Sequence, residues 1–190
     1  LRISRYDGTS WMTYTVAPGE NTGDGNPYSG EGRIGFAIDD SDSEWFSFYV
    51  DIGSGEYVLK FANWDSSDST WAYGVIDDGF GEDSANYDDW TDAGQFSSLQ
   101  IGADGRPRVA YTCAIVNTIS DPVTGTIIDA WYDRSLRYAA FDGSGWSITD
   151  IHINETGSGY WPAWWLQLDI DDNGNENIAY QNISGWDSVR

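Results

Sequence analysis

The sequence predicts an all-β fold built from four-stranded repeats, and three features of the chain support this prediction. Two short phrases alternate along the 190 residues, and each phrase occurs three times. Both phrases place alternating apolar residues on either side of a turn rich in Asp, Asn, Ser and Gly, which is typical of a β-hairpin. Apolar residues nowhere recur at helical spacing, and 22 glycines argue against long helices.

The first phrase occurs at 1–11, 59–71 and 136–146. Each copy runs from an apolar residue through a basic residue to Ile or an aromatic residue and then a small residue. An aromatic-Asp pair follows, and the copy ends on Trp. Because these closing tryptophans recur with the phrase, they are predicted to form the core of each repeat: Trp11, Trp71 and Trp146.

The second phrase occurs at 36–48, 99–111 and 168–180, and its copies align without a gap. Apolar residues alternate up to a turn rich in Asp, Asn and Gly, and they resume after it. The alignment defines two sets of equivalent positions, one before and one after the turn: Ile38, Ile101 and Ile170, and Phe48, Tyr111 and Tyr180. Each second phrase follows a first phrase, so every repeat contains two predicted hairpins.

Two hairpins give four strands, and a repeating four-stranded unit of roughly 40 to 50 residues is typical of a β-propeller blade. The sequence therefore predicts a single β-propeller-type region over 1–190, with blades of four antiparallel strands in three repeats at approximately 1–58, 59–135 and 136–190. A β-sandwich is the alternative, and it requires the matched hairpin pairs to arise by chance. Closing a propeller takes roughly four blades or more. The missing blades would come from a second chain that closes a ring, from chains joined head to tail, or from further repeats of a longer polypeptide.

Two segments, "SLQIGADGRPRVAY" and "LRYAAFDGSGW", carry a family resemblance. They resemble a family of secreted bacterial and archaeal propeller repeats, with the pattern Ser-Leu-x-x-Asp-x-x-Gly-x-Pro-x-Ile-Ala-Tyr followed by Leu-Lys-Tyr-Ala-x-x-Asp-Gly-x-x-Trp. The resemblance covers nearly the whole chain and implies an extracellular or surface module without a common catalytic site. The family's His is absent from this chain, where Arg108 and Asn177 stand at the matching positions.

The composition argues against several classes of function. The chain carries 31 Asp and Glu against 9 Lys and Arg, for a formal net charge of −22, so a nucleic-acid backbone or an anionic membrane surface would repel it. No run approaches the roughly 20 apolar residues of a membrane span, and no membrane insertion is expected. Cys113 and His152 are the only residues of their kinds, which excludes an internal disulfide and multi-His metal sites. His152 stands between Ile151 and Ile153, as a solvent-facing strand residue would, and this argues against a Ser-His-Asp triad. The acidic composition fits the extracellular or cell-surface location that the resemblance implies.

A calcium site is predicted in one loop. The segment 169–177 follows the D-x-D-x-D-G-x-x-D layout of calcium loops, and its oxygen ligands would be Asp169, Asp171, Asn173 and Asn177. Such ligands converge on a hard cation when the loop wraps around it. An ordinary Asp-Asn-Gly turn is the alternative. The acid-rich segment 77–92 is a second candidate for Ca²⁺, with a solvated loop as its alternative, and no other cofactor is expected.

Aromatic residues are in excess, with 11 Trp and 12 Tyr. Those predicted to form a ligand site or an interface do not recur with the repeat: Tyr160, Trp161, Trp164, Trp165, Trp45 and Trp90. Flat aromatic faces can stack on sugar rings, but exposed Trp and Tyr also concentrate where proteins meet. The unfinished ring favours the interface.

These observations predict a non-enzymatic extracellular module that builds a structural assembly through head-to-tail or ring-closing repeat contacts. The first strand, at 1–6, would donate backbone hydrogen bonds to the last blade of a neighbour, because an open sheet edge is satisfied by an added strand. The expected partners are copies of the chain or further repeats of the same chain. A glycan-binding propeller that uses loop Trp and Asp residues is the alternative, and a glycoside hydrolase that uses two carboxylates is a further one.

Overall fold

The computed structural model describes residues 1–16, 34–53, 56–65, 69–79, 90–121, 123–124, 126–154 and 161–183. In these ranges the chain forms strands, joined by turns, and the predicted all-β class is confirmed. The strands are β1 (Arg2–Tyr6), β2 (Trp11–Thr15), β3 (Gly35–Ile38), β4 (Glu44–Gly53), β5 (Glu56–Asp65), β6 (Thr70–Asp77), β7 (Trp90–Ile101), β8 (Pro107–Ser120), β9 (Ile127–Phe141), β10 (Trp146–Asn154), β11 (Trp161–Ile170) and β12 (Glu176–Ile183). The same ranges hold no helix of the length and apolarity needed to cross a membrane.

The strands are grouped into two four-stranded antiparallel units and two separate hairpins. Strands β3 to β6 pair consecutively, as do β7 to β10, and a single parallel bridge between Tyr57 and Asp92 joins the two units. The hairpins β1–β2 and β11–β12 are sheets of their own. Each four-stranded unit contains a hairpin of the second phrase followed by a hairpin of the first phrase. The described sheets do not close into a ring, so they do not establish the predicted number of blades.

The hairpins predicted from the second phrase are confirmed, and their turns have the same geometry in all three copies. In each turn, the residue after the aligned Ile donates its backbone N–H to the carbonyl oxygen four residues later. The three distances are 3.0 Å from Asp39 to Ser43, 2.8 Å from Gly102 to Arg106 and 3.0 Å from Asp171 to Asn175. The left-handed residue of the turn is Asp42, Gly105 or Gly174, with φ between 59° and 80°. Ile38, Ile101 and Ile170 end their strands at equivalent places.

The hairpins of the first phrase are also confirmed, and in two of them an aspartate organises the turn. The Asp7 carboxylate accepts hydrogen bonds from the backbone N–H groups of Thr9 and Ser10, both at 2.8 Å. Asp142 accepts them from Ser144 at 2.7 Å and Gly145 at 2.9 Å. These bonds to the ionised carboxylates lower the pKa of Asp7, and they lower that of Asp142 to about 2.

A loss of stability in acid follows from these turns. The folded-state pKa of Asp142 lies below its ordinary value of 3.8, so its carboxylate stabilises the fold fully above about pH 4. That contribution is lost as the pH falls through the folded pKa near 2. We expect Asp142→Asn, which does not titrate, to show a shallower fall in melting temperature between about pH 4 and pH 2 than the wild type. Parallel curves in thermal scans at stepped pH would contradict this account of the turn.

The sheets stack face to face in chain order, with a layer of apolar side chains between each pair. The β1–β2 hairpin packs on the β3–β6 unit through Leu1, Ile3, Val16, Phe46, Phe48, Val50, Val58, Ala62 and Trp71. The two four-stranded units enclose the largest layer, which includes Leu59, Ile76, Leu99, Val109, Tyr111 and Ala139. The β11–β12 hairpin packs on β7–β10 through Phe96, Ala110, Leu136, Leu166, Leu168 and Ile178. Burial of these side chains is the main force that holds the stack together.

Candidate functional site

The two separate hairpins leave open strand edges at opposite ends of the stack. Among the described residues, β12 pairs with β11 alone and β1 pairs with β2 alone. By contrast, the equivalent strands β4 and β8 each pair on both sides, with β5 and β9 as their second neighbours. An open edge presents unpaired backbone N–H and C=O groups and acts as a template for another strand.

The outer face of β3 exposes apolar side chains that are buried at equivalent positions elsewhere. Phe36 is 44% exposed, whereas its equivalents Leu99 and Leu168 are 3% and 0% exposed. Ile34, two residues earlier, is 51% exposed, and its equivalent Leu166 is 1% exposed. Leu99 is covered by β3, and Leu168 by β7. On the outer face of β3, Phe36 packs against Phe46 of its own sheet, and the β1–β2 hairpin packs over Phe46 while Phe36 stays exposed.

The opposite end of the stack shows the same contrast at Trp165 in β11. Trp165 is 55% exposed, whereas its equivalent Phe96 in β7 is fully buried. Both residues have a left-handed backbone, with φ of 55° and 52°, next to shifts in strand register that mark a bulge. A left-handed aromatic residue is strained, and its recurrence indicates that the bulge is a built feature of β7 and β11. The bulge turns Phe96 toward the next sheet, where Leu166 and Leu168 cover it.

Tyr180 on the open edge of β12 is only partly covered. It is 37% exposed, whereas the equivalent Phe48 and Tyr111 are 1% and 0% exposed. Its hydroxyl lies 3.2 Å from Nδ1 of His152 on β10. For the other two residues β5 and β9 pair with the strand that carries them, whereas in the described part of the chain β12 has β11 as its single neighbour.

An open cavity of about 320 Å³ lies where β3, β7 and β11 come together. Its polar lining includes Ser97, Ser98 and Gln167, and no charged side chain lines it. The Ser98 hydroxyl accepts a hydrogen bond from the Leu168 N–H at 3.0 Å, which links β7 to β11. The cavity therefore lies where the first strands of these three sheets approach one another.

Two buried acids lie at the ends of the segment 77–92, which was the second candidate for Ca²⁺. The Asp77 carboxylate, 3% exposed, accepts hydrogen bonds from the Tyr111 hydroxyl at 2.6 Å and from Arg137 at 2.8 Å. Asp92 accepts them from Tyr49 at 2.6 Å and Gln95 at 2.7 Å. Burial and the neighbouring carboxylates raise the pKa of both tyrosines. Both acids therefore have protein donors, and residues 80–89 between them lie outside the described part of the chain.

Cys113 lies beside this network and is 1% exposed. Burial raises the pKa of its thiol, and a buried neutral thiol is a poor nucleophile. We expect no reaction of the native protein with an aromatic disulfide reagent at pH 7, and one equivalent of reactive thiol after unfolding in guanidinium chloride. Rapid labelling of the native protein would contradict the described burial of this side chain.

The four residues predicted to bind calcium lie on the β11–β12 hairpin. Asp169 and Asn177 are opposite each other in the strand register. Asp171 accepts hydrogen bonds from the backbone N–H groups of Asn173 at 2.9 Å and Asn175 at 2.8 Å. In the described ranges, no group of three or more His, Cys, Asp or Glu side chains converges as metal ligands would. Asp171 thus organises its turn as Asp7 and Asp142 organise theirs.

The predicted aromatic residues occupy different environments. Trp45 is partly buried, donates its indole N–H to Asp39 at 3.1 Å and packs against Phe61 and Phe141. For three others the description covers only the strand backbone: Trp90 in β7, and Trp161 and Trp164 in β11. Tyr160 lies outside the described residues. Trp165 is thus the one whose side chain is described as exposed.

The three tryptophans of the first phrase also differ in burial. Trp71 and Trp146 pack against the apolar layers beside their own sheets. Trp11 is 70% exposed and contacts Tyr6 within its hairpin. Among the described residues no sheet covers Trp11, so it belongs with Phe36 among the apolar side chains exposed at the first end of the stack.

Sequence reasoning did not select Phe36, Tyr180 or Arg137 as functional residues. The aligned phrases show that Phe36 and Tyr180 have equivalents in the other copies. The folded chain is needed to show that these two are exposed while their equivalents are buried. Comparisons with protein-family models, with curated proteins and with solved structures found no match.

Proposed function

We propose that the protein is a non-enzymatic structural module, extracellular or on a cell surface, whose β-propeller-type blades assemble by strand addition between repeats. The β1–β2 hairpin of one copy completes the sheet begun by the β11–β12 hairpin of another copy. This pairing joins copies head to tail or closes a ring. Exposed backbone edges and uncovered apolar side chains supply the binding energy.

A single observation carries this proposal: equivalent side chains are buried inside the stack and exposed at its ends. Phe36, Trp165 and Tyr180 all follow this rule. Contiguous exposed apolar side chains are uncommon on soluble monomers and mark sites of interaction. The contrast is internal to one chain, so each buried copy shows what the exposed copy would contact after assembly.

The net charge of −22 shapes the association expected of such a module. Like charges on two copies repel each other at long range, and salt screens this repulsion over a Debye length of about 8 Å at 0.15 M. The contacts themselves are backbone hydrogen bonds and apolar burial, which salt does not weaken. Association should therefore strengthen as the salt concentration rises.

Light scattering after size-exclusion chromatography tests the proposal. The purified 190-residue chain should give a native mass of at least twice 21.1 kDa. The assembled fraction should increase with protein concentration and with salt. A mass of 21.1 kDa at every concentration and salt level would exclude assembly as a property of this chain.

Glycan binding is the second candidate, and the exposed ring of Trp165 is the observation that favours it. A flat indole face can stack on a pyranose, and surface acids and amides can bind sugar hydroxyls. A glycan array separates the two functions. Binding that Trp165→Ala abolishes in protein of unchanged mass would support a glycan site, whereas loss of assembly in the same variant supports the structural module.

A further inference from the structure

We propose that the partner is a second copy of this chain, and that its β1 adds antiparallel to β12 with Arg2 directly opposite Tyr180. The inference rests on the proposed function and specifies the partner and the strand register. Two such junctions close a ring of two copies. Each junction turns the β11–β12 hairpin of one copy and the β1–β2 hairpin of the other into a four-stranded sheet.

The register follows from the two junctions that the chain already contains. In the first, Phe48 of β4 lies opposite Lys60 of β5, and in the second, Tyr111 of β8 lies opposite Arg137 of β9. Both pairs join equivalent positions, the aromatic residue of the second phrase and the basic residue of the first phrase. The matching residues of the incomplete sheet are Tyr180 and Arg2.

The neighbouring pairs agree with this register. Phe46 lies opposite Ala62 and Val109 opposite Ala139, and all four side chains are buried. The corresponding pair in the junction is Ile178 with Ser4. A small residue recurs at this position of the first phrase because the next sheet packs closely over it. Ser4 is exposed in the single copy and becomes buried when the junction forms.

The faces of β1 are already oriented as the junction needs. Leu59 of β5 and Leu136 of β9 point toward the following sheet, and Leu1 of β1 likewise packs toward the β3–β6 unit. A register shifted by one residue would turn these side chains to the wrong face. Arg2 and Ser4 are left on the open face, which the β7–β10 unit of the second copy would cover.

The exposed aromatic side chains at the two ends complete the fit. Inside one copy, Leu166 and Leu168 of β11 cover Phe96 of β7. The equivalents of the two leucines are Phe36 of β3 and Ile34 just before this strand, and the equivalent of Phe96 is Trp165. In the ring, Ile34 and Phe36 of one copy therefore pack over Trp165 of the other, which buries the apolar residues at both ends.

The number of copies follows from the count of sheets. Each copy supplies two four-stranded units and two separate hairpins, and each hairpin supplies half of a sheet shared with the other copy. Closed propellers typically contain about 4 to 8 blades, so one copy is too small and three copies are too many. Two copies give six sheets, within that range.

Engineered cysteine pairs test the register. The variant Arg2→Cys/Tyr180→Cys places two thiols opposite each other across the junction, within the roughly 4.4–6.8 Å between Cα atoms that a disulfide spans. The matched control Arg2→Cys/Ile178→Cys keeps the same face but shifts one thiol by two residues along β12. Native Cys113 is buried during the oxidation step, and an alkylating reagent added on unfolding blocks its thiol before it can exchange with the disulfide. Each variant is oxidised as the native assembly, then denatured without reductant and resolved by mass.

The proposal predicts a covalent dimer of twice 21.1 kDa for the in-register variant and monomer for the control. Cross-linking of the control alone would overturn the register, and a ladder of higher multiples would overturn the closed ring of two. A wild-type chain that assembles in light scattering while neither variant cross-links would overturn this junction but leave the proposed function standing. A wild-type chain that never assembles would overturn both.

Discussion

Arg137→Met should lower the free energy of unfolding by about 3–5 kcal/mol, the typical effect of removing one partner of a buried ion pair. Arg137 donates to Asp77 at 2.8 Å and to Asp150 at 2.9 Å, and the side chain of Asp77 is only 3% exposed. Without the guanidinium, the Asp77 carboxylate is a buried charge that keeps the Tyr111 hydroxyl as a donor but has lost its cation. Urea denaturation followed by tryptophan fluorescence measures the change.

Arg108→Met is the matched control. Arg108 also bridges two acids, but the side chains of Asp104 and Glu176 are 43% and 35% exposed, so solvent screens the pairs. We expect a loss of about 1 kcal/mol or less for this variant. Equal losses of unfolding free energy for the two variants would show that the burial of Asp77 does not determine how much Arg137 stabilises the fold. Adding Asp77→Asn to Arg137→Met should recover part of the loss, because the uncompensated charge is removed.

Phe36→Ala should weaken self-association roughly 100-fold, since a ring of two copies contains this contact twice and each truncation costs about 1–2 kcal/mol. The side chain is 44% exposed in the single copy and packs against Phe46, so the variant also loses part of its folding stability. Sedimentation equilibrium of the wild type and the variant gives the two dissociation constants, and circular dichroism checks that the variant is folded.

Val75→Ala is the control for this experiment. Val75 is 48% exposed, close to the 44% of Phe36, but it lies on β6, at the opposite edge of its unit from β3. The hairpin that packs on this unit, β1–β2, belongs to the same copy, so assembly leaves the surroundings of β6 unchanged. Its dissociation constant should match that of the wild type. Equal weakening by both variants would mean that general surface hydrophobicity, and not the β3 face, drives association.

Local patterns explain why the hairpins could be predicted from the sequence. Alternating apolar residues define which face of a strand is buried, and an aspartate followed by glycine or asparagine defines where the chain turns. Both signals act over a few residues. The register of all three second-phrase turns, from Asp39, Gly102 and Asp171, was therefore contained in a short alignment.

The assignment of hairpins to sheets was not contained in such patterns. The predicted repeats begin with the first phrase, whereas the four-stranded units begin with the second, so each predicted repeat includes strands from two different sheets. Pairing of β4 with β5 and of β8 with β9 joins strands from successive repeats, and composition does not distinguish this from pairing within a repeat. The offset is also the reason that one hairpin at each end is left without its sheet.

The buried acid network could not be predicted for a similar reason. Asp77 and Arg137 are 60 residues apart in the chain and meet because β6 and β9 lie in adjacent stacked sheets. With 31 acids in the sequence, no local feature sets Asp77 or Asp92 apart from a solvated carboxylate. Only their burial distinguishes these two acids from the others, and burial depends on how all the sheets stack.

Hydrogen exchange along β12 is the most direct test of the central claim that this strand gains a second neighbour on assembly. The wild type is compared with Phe36→Ala at a concentration where only the wild type is assembled. The account predicts that the β12 amides not bonded to β11 are protected in the wild type and exchange freely in the variant, while amides bonded to β11 are protected in both. Equal, rapid exchange of the outward β12 amides in both proteins would contradict strand addition at this edge.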